Sequence, residues 1–126
     1  PRALEYLQKA VAVNANDADA WNYIGFSQRN LQHYDESLAA YEKALAINPD
    51  HRGANEYLGE LYLMMHDSGS ADGQLAELTR LCPDGCDEKD VLTKAIADYH
   101  ANAHAAAQAA SPAQAAPAQP APTAQP

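Results

Sequence analysis

The chain has 126 residues and carries 17 Asp and Glu against 8 Lys and Arg, a net charge of -9. That balance excludes nucleic acid or an anionic membrane surface as the main partner, because both select a basic face. No run approaches the ~18 apolar residues of a membrane-spanning helix, so no membrane insertion is expected. The hydrophobic fraction of 47% overstates the core. Every charged residue lies between Arg2 and Asp98, and 22 of the 26 residues from Ala101 to Pro126 are Ala, Pro or Gln.

In chain order, the first expected element is a helix over Ala3 to Val13, where Leu4, Leu7, Ala10 and Val11 recur at helical spacing. A shift of 34 residues then aligns the chain with itself. Leu4, Leu38 and Asp72 share a column, as do Leu7, Tyr41 and Leu75, and Ala10, Ala44 and Leu78. Ile24, Leu58 and Leu92 align, Gly25 meets Gly59, Gln28 meets Tyr62, and Pro49 meets Pro83. Apolar and small residues hold their columns while surface positions drift, which is the pattern of stacked helical hairpins.

The register predicts two complete hairpins, 18–30 with 35–47 and 52–65 with 71–81, and a last helix from Asp87 to Ala101 or on to Ala110. Gly25 and Gly59 have no side chain, so they let the paired helices approach closely. Pro49 cannot continue the helix before it and turns the chain into the next hairpin. Asp87, Glu88 and Asp90 suit the positive end of the last helix. That helix is expected to cap the array with a polar outer face. The tail beyond it cannot bury a core. Pro112 and the prolines after it are expected to break any helix there.

Cys82-Pro83-Asp84-Gly85-Cys86 has the residues of a tight turn, with Pro second and Gly fourth. Such a turn brings its flanks within reach of a disulfide. A Cys82–Cys86 bridge is expected, and with it an oxidising compartment. The alternative is two unpaired thiols in a cytoplasmic protein. Three intervening residues exclude a redox Cys-x-x-Cys, and two sulfurs without a nearby His pair do not make a zinc site. No metal, cofactor or catalytic constellation is expected. His100 and His104 share a helix face with no third ligand, and His33, His51 and His66 fall at turns or helix ends. Glu56 and Glu60 stand one helical turn apart, and a solvated or binding face is expected of them rather than catalysis.

Trp21-Asn22-Tyr23-Ile24-Gly25, Tyr34-Asp35-Glu36-Ser37-Leu38, Tyr41-Glu42-Lys43-Ala44-Leu45 and Asn48-Pro49 together resemble a tetratricopeptide repeat. Tyr57-Leu58-Gly59-Glu60-Leu61-Tyr62 through Cys82-Pro83 resembles a second one. Gln28 stands where the family has an aromatic, Ser37 where it has Ala, and Asn55 where it has Trp. The turn Asp67-Ser68-Gly69-Ser70 looks looser than the family's. The resemblance implies an all-α solenoid of antiparallel hairpins. Its parts are an incomplete repeat over 1–16, full units over 17–50 and 51–84, a capping helix over 85–105 and a disordered tail over 106–126. The opening helix is then the second half of a unit. Either an upstream helix covers it in a longer chain, or a second copy does, giving a homo-oligomer.

The resemblance further implies a non-enzymatic scaffold whose first helices line a concave groove that binds a protein or peptide. In this register the groove presents Asn22, Phe26, Arg29 and Asn30, then Glu56, Glu60, Leu63 and Met64. Some members of the family hold a peptide's terminal carboxylate there. Asn22 is retained, but Phe26, Glu56 and Glu60 stand where neutral or basic groups are needed, so no carboxylate clamp is expected. An acidic groove with an apolar floor suits a basic or amphipathic partner. The sequence around Leu81-Cys82-Pro83-Asp84-Gly85-Cys86 is also similar to a group of exported bacterial tetratricopeptide proteins, which implies a periplasmic location.

Overall fold

A computed structural model describes residues 2–118. Six helices follow one another: α1 (Arg2–Val13), α2 (Ala18–Asn30), α3 (Tyr34–Ile47), α4 (Arg52–Met64), α5 (Ser68–Leu81) and α6 (Asp87–Ala118). Among the described residues there is no strand. The chain divides into two compact units at Ile96 and Ala97.

In the first unit, α2 pairs with α3 and α4 with α5, and the hairpins stack in sequence. Their local chemistry repeats every 34 residues. Asp17 caps α2 by accepting from the Ala20 N–H at 3.1 Å, and His51 caps α4 by accepting from Ala54 at 3.0 Å through Nδ1. Gln32 and His66, again 34 apart, both take the left-handed conformation, with φ of 64° and 61°. They reverse the chain between the helices of each hairpin.

The Trp21 column shows one task done by two chemistries. Trp21 donates from Nε1 to the Ala15 carbonyl at 2.8 Å, tying α2 to the turn before it. Asn55 takes the same place in α4 and donates to the carbonyls of Pro49 at 3.2 Å and His51 at 2.9 Å. Asn55 is 2% exposed, and its remaining oxygen accepts from Gln74 on α5 at 2.8 Å. A buried amide is tolerated because it is bonded at both ends.

The core of this unit gathers Tyr41, Leu58 and Leu61, with Tyr34, Leu38, Leu45, Tyr57, Tyr62 and Met65 packed around them. Gly25 admits Tyr41 from α3, since a Cβ there would stand 2.5 Å from the ring. Ser37, also fully buried, donates to the Gly25 carbonyl at 2.6 Å. The expected role of Gly59 changes. Its open space receives Leu92 of α6, 2.6 Å from where a Cβ would be, rather than a residue of its own hairpin partner α5. Leu92 and Ile96 are buried, so the first turns of α6 cover the second hairpin.

Two boundaries move from their expected places. The stretch Asp67-Ser68-Gly69-Ser70 is the start of α5, not a loose turn. The Asp67 carboxylate accepts from the Ser70 N–H at 3.1 Å and its hydroxyl at 2.6 Å, and both bonds hold the carboxyl below its usual range. In the other change, the helical stretch of α6 continues past Ser111-Pro112 to Ala118. Alanine is the strongest helix former, and seven of the ten residues from Ala101 to Ala110 are alanine. Residues 106–118 of the expected disordered tail are thus helical, and the rest of it, 119–126, lies outside the described residues. In the second unit, Tyr99 and His100 meet edge to face at 5.6 Å, and residues 101–108 are all exposed.

Cys82 and Cys86 are joined in a disulfide across a Cα separation of 6.0 Å. The Gly85 N–H donates to the Cys82 carbonyl at 2.9 Å, closing the turn, and Gly85 takes φ of 101°. Only glycine enters that region without strain.

Candidate functional site

The first helices of the two hairpins, α2 and α4, lie against each other and continue into the start of α6. The face they share carries an aromatic row. Phe26 of α2 meets Tyr57 of α4 with ring centroids 5.1 Å apart, and Tyr57 in turn leans on Tyr41 at 6.2 Å. Tyr23, one turn before Phe26, is 54% exposed. These rings form a floor that is half covered by protein and half open.

Arg29 lies across that floor. Its guanidinium sits 4.7 Å from the Phe26 ring centre and 5.7 Å from that of Tyr57. The rings attract the cation through their negative faces. Glu60 of α4 accepts from the same guanidinium at 2.9 Å, with both side chains largely buried. A pair this sheltered from water resists salt far better than a surface ion pair.

Two further carboxyls crowd beside it. Glu56 lies one turn before Glu60, and Glu88 faces it from α6. Burial, a hydrogen bond shared with Glu60 and the charges of Glu60 and Glu88 push the Glu56 carboxyl up to about 8. The same environment raises the Tyr57 hydroxyl, by burial first and then by the charges of Glu56 and Glu60. At neutral pH this face is therefore less acidic than its composition suggests. One carboxylate is matched by Arg29 and the next holds a proton.

The expected groove residues divide accordingly. Phe26, Arg29, Glu56 and Glu60 come together around the aromatic floor. Asn22 is 4% exposed and lies beside Gly53 at the start of α4. Leu63 is 8% exposed and belongs to the core. Asn30 is exposed, as is Met64 at 44%. Tyr23, Tyr57 and Glu88 join the site without having been singled out. The 34-residue register does put Tyr23 and Tyr57 in one column. Glu88 had no such signal, since only packing brings α6 alongside α4.

Among the described residues, no group of three His, Cys, Asp or Glu is placed to hold a metal ion. No described helix is long and apolar enough to cross a membrane.

Residues 18–51 match the family described as Tetratricopeptide repeat. Curated relatives include Protein O-mannosyl-transferase TMTC3 of Mus musculus, 27% identical over 95 residues, 75% of this chain and 10% of that protein. Tetratricopeptide repeat protein 37 of Xenopus laevis is 36% identical over 59 residues, 47% of this chain and 4% of the relative. The Peroxisomal targeting signal receptor of Kluyveromyces lactis is 38% identical over 48 residues, 38% and 8% of the two chains. This chain thus spans a tenth or less of each of these relatives. Among solved structures, the crystal structure of MamA superposes with a TM-score of 0.61 over 83% of this chain and 69% of that one, at 19% identity. It shares the fold, an all-α solenoid of stacked helical hairpins.

Proposed function

We propose that this protein is a non-enzymatic interaction scaffold whose α2–α4 face binds a basic or amphipathic segment of another protein. The observation that carries this reading is Arg29 itself. A guanidinium rests on Phe26 and Tyr57 and is held by Glu60, so the face has the chemistry that a cationic side chain needs. Glu88, next to that pair, supplies attraction for a further cation, Glu56 adds to it by giving up its proton when a cation arrives, and Tyr23 offers open apolar surface. One relative is a receptor for a peroxisomal targeting signal, which fits a family fold used to hold peptides. The transferase named among the relatives lends no activity, because the match covers a tenth of it.

The test is a calorimetric titration with a Lys- and Leu-rich amphipathic peptide. Binding is expected to release protons at pH 7, because a cation beside Glu56 favours its ionised form. Glu56→Lys with Glu60→Gln is expected to abolish binding. Equal affinity for the variant would refute the assignment.

A second reading rests on α1, in which none of the residues is buried and Tyr6 and Val13 are 76% and 91% exposed. Such a face favours self-association through α1. Light scattering over a concentration series tests it, and a constant monomer mass eliminates it. For location, the Cys82–Cys86 bridge favours an oxidising compartment, the bacterial periplasm or the cell exterior. Fractionation of cells producing the full-length protein tests that. Recovery with two titratable thiols from the cytoplasm would refute it.

A further inference from the structure

The opposite side of the first hairpin holds a cleft of about 450 Å³ between α1, α2 and α3. Val11, Trp21, Ile24, Ala39 and Ala40 form its apolar walls, with Gln8, Gln28, Glu36 and Lys43 as its polar groups. Its size and its mix of apolar wall and few polar groups match ligand-binding clefts.

The repeat explains why it is there. The equivalent gap one unit later is bounded by α3, α4 and α5, and Tyr62 stands there in the column of Gln28. Tyr62 packs against the core of Tyr41, Leu58 and Leu61, together with Leu45, which occupies the column of Val11. In the first gap the ring is missing at the Gln28 position, and the aromatic residue is Trp21 in the wall, where the second gap has Asn55. Gln28 is shorter and its Oε1 is engaged by His33 Nδ1 at 2.8 Å. The protein thus fills one gap with its own tyrosine and leaves the other open.

We propose that the cleft binds an aromatic side chain of a partner peptide, with a basic residue on one flank and an acidic residue on the other. The aromatic is set by the Tyr62 that closes the sister gap. The flanks are set by charge. Glu36 and Lys43 both line the cleft from α3, seven residues apart. Seven residues of helix span about 10.5 Å, which is about three residues of extended peptide. The matching pattern is basic, aromatic, any residue, acidic. This site is separate from the Arg29 face, and a scaffold using both would hold two segments at once.

Trp21 is the only tryptophan in the chain and lies in the cleft wall, so its fluorescence reports occupancy directly. The probe is the peptide Ac-Lys-Tyr-Ala-Glu-NH2, added to the full chain with excitation where tyrosine does not absorb. A saturable change in Trp21 emission is expected. Replacing the peptide's Tyr by Ala should weaken binding at least roughly ten-fold, the equivalent of burying one aromatic side chain. Gln28→Tyr should abolish the change while leaving the chain folded by circular dichroism. Lys43→Glu, an exposed change that does not touch the core, should weaken the same peptide without altering the fold. Glu56→Lys should leave this titration unchanged, which separates its outcome from that of the α2–α4 face. The proposal is overturned if no saturable change occurs, or if Gln28→Tyr or the Ala peptide binds as well as the parents. It is equally overturned if Trp21 emission changes with protein concentration alone, since a second copy is then the occupant.

Discussion

Gln32 is exposed and holds φ of 64°. The left-handed region costs a non-glycine residue roughly 1–2 kcal/mol, part of which glycine gives back through its greater freedom when unfolded. Gln32→Gly is therefore expected to raise stability by about 0.5 kcal/mol in urea unfolding. Glu56 is the residue whose chemistry changes most on folding. Its carboxyl rises from an ordinary 4.5 to about 8, mainly through burial. Between those two values the folded chain keeps a proton that the unfolded chain has lost. Its stabilising contribution is full below about pH 4.5 and disappears as pH rises to 8. The melting temperature should fall across that window in the wild type. Glu56→Gln should flatten the fall, and an unchanged slope would place the proton elsewhere. Glu56 was visible in the sequence as half of a pair with Glu60. Its protonation was not, because Glu88 and the burial come from a distant helix.

At the scale of elements, the two glycines of the repeat column do different work. A methyl group at Gly25 meets the Tyr41 ring, which is fully buried and has nowhere to move. Gly25→Ala should cost about 1–3 kcal/mol by overpacking and lower the melting temperature of the whole unit. Gly59→Ala instead meets Leu92 at the start of α6. It should loosen α6 from α4, seen as faster amide exchange over residues 88–96 with α2 and α3 unaffected. Equal exchange changes across all helices would contradict this division. The register places both glycines in one column and Leu92 in the column of Ile24 and Leu58. It does not say that α6 faces Gly59, because α5 was an equally good partner in one dimension. The helix caps, by contrast, are local in sequence. Asp17 lies within three residues of the N–H it accepts, and so does Asp67, although its stretch reads as a loose turn.

For the molecule as a whole, the Cys82–Cys86 bridge closes a five-residue loop between the second hairpin and α6. Loop entropy assigns such a closure about 2 kcal/mol. Reduction, or Cys82→Ser with Cys86→Ser, should lower the urea midpoint without changing helicity. An unchanged midpoint would show that the turn holds itself through Gly85 alone.

The six helices apart from the start of α5 and the end of α6, the hairpin period and the turn at Gly85 all follow from residues close together in the chain, and the sequence determined them by itself. Backbone conformation, capping and periodic burial are local effects, and a 34-residue repeat multiplies their signal. The tertiary structure alone decided the rest. Leu63 and Asn22 went into the interior while Tyr23, Tyr57 and Glu88 joined the half-buried face around Arg29. Missing bulk at Gln28 became an open cleft only because α1 and α3 stand apart on either side of α2. Charge and exposure depend on what a neighbouring helix brings within a few ångströms. No spacing along the chain encodes that distance.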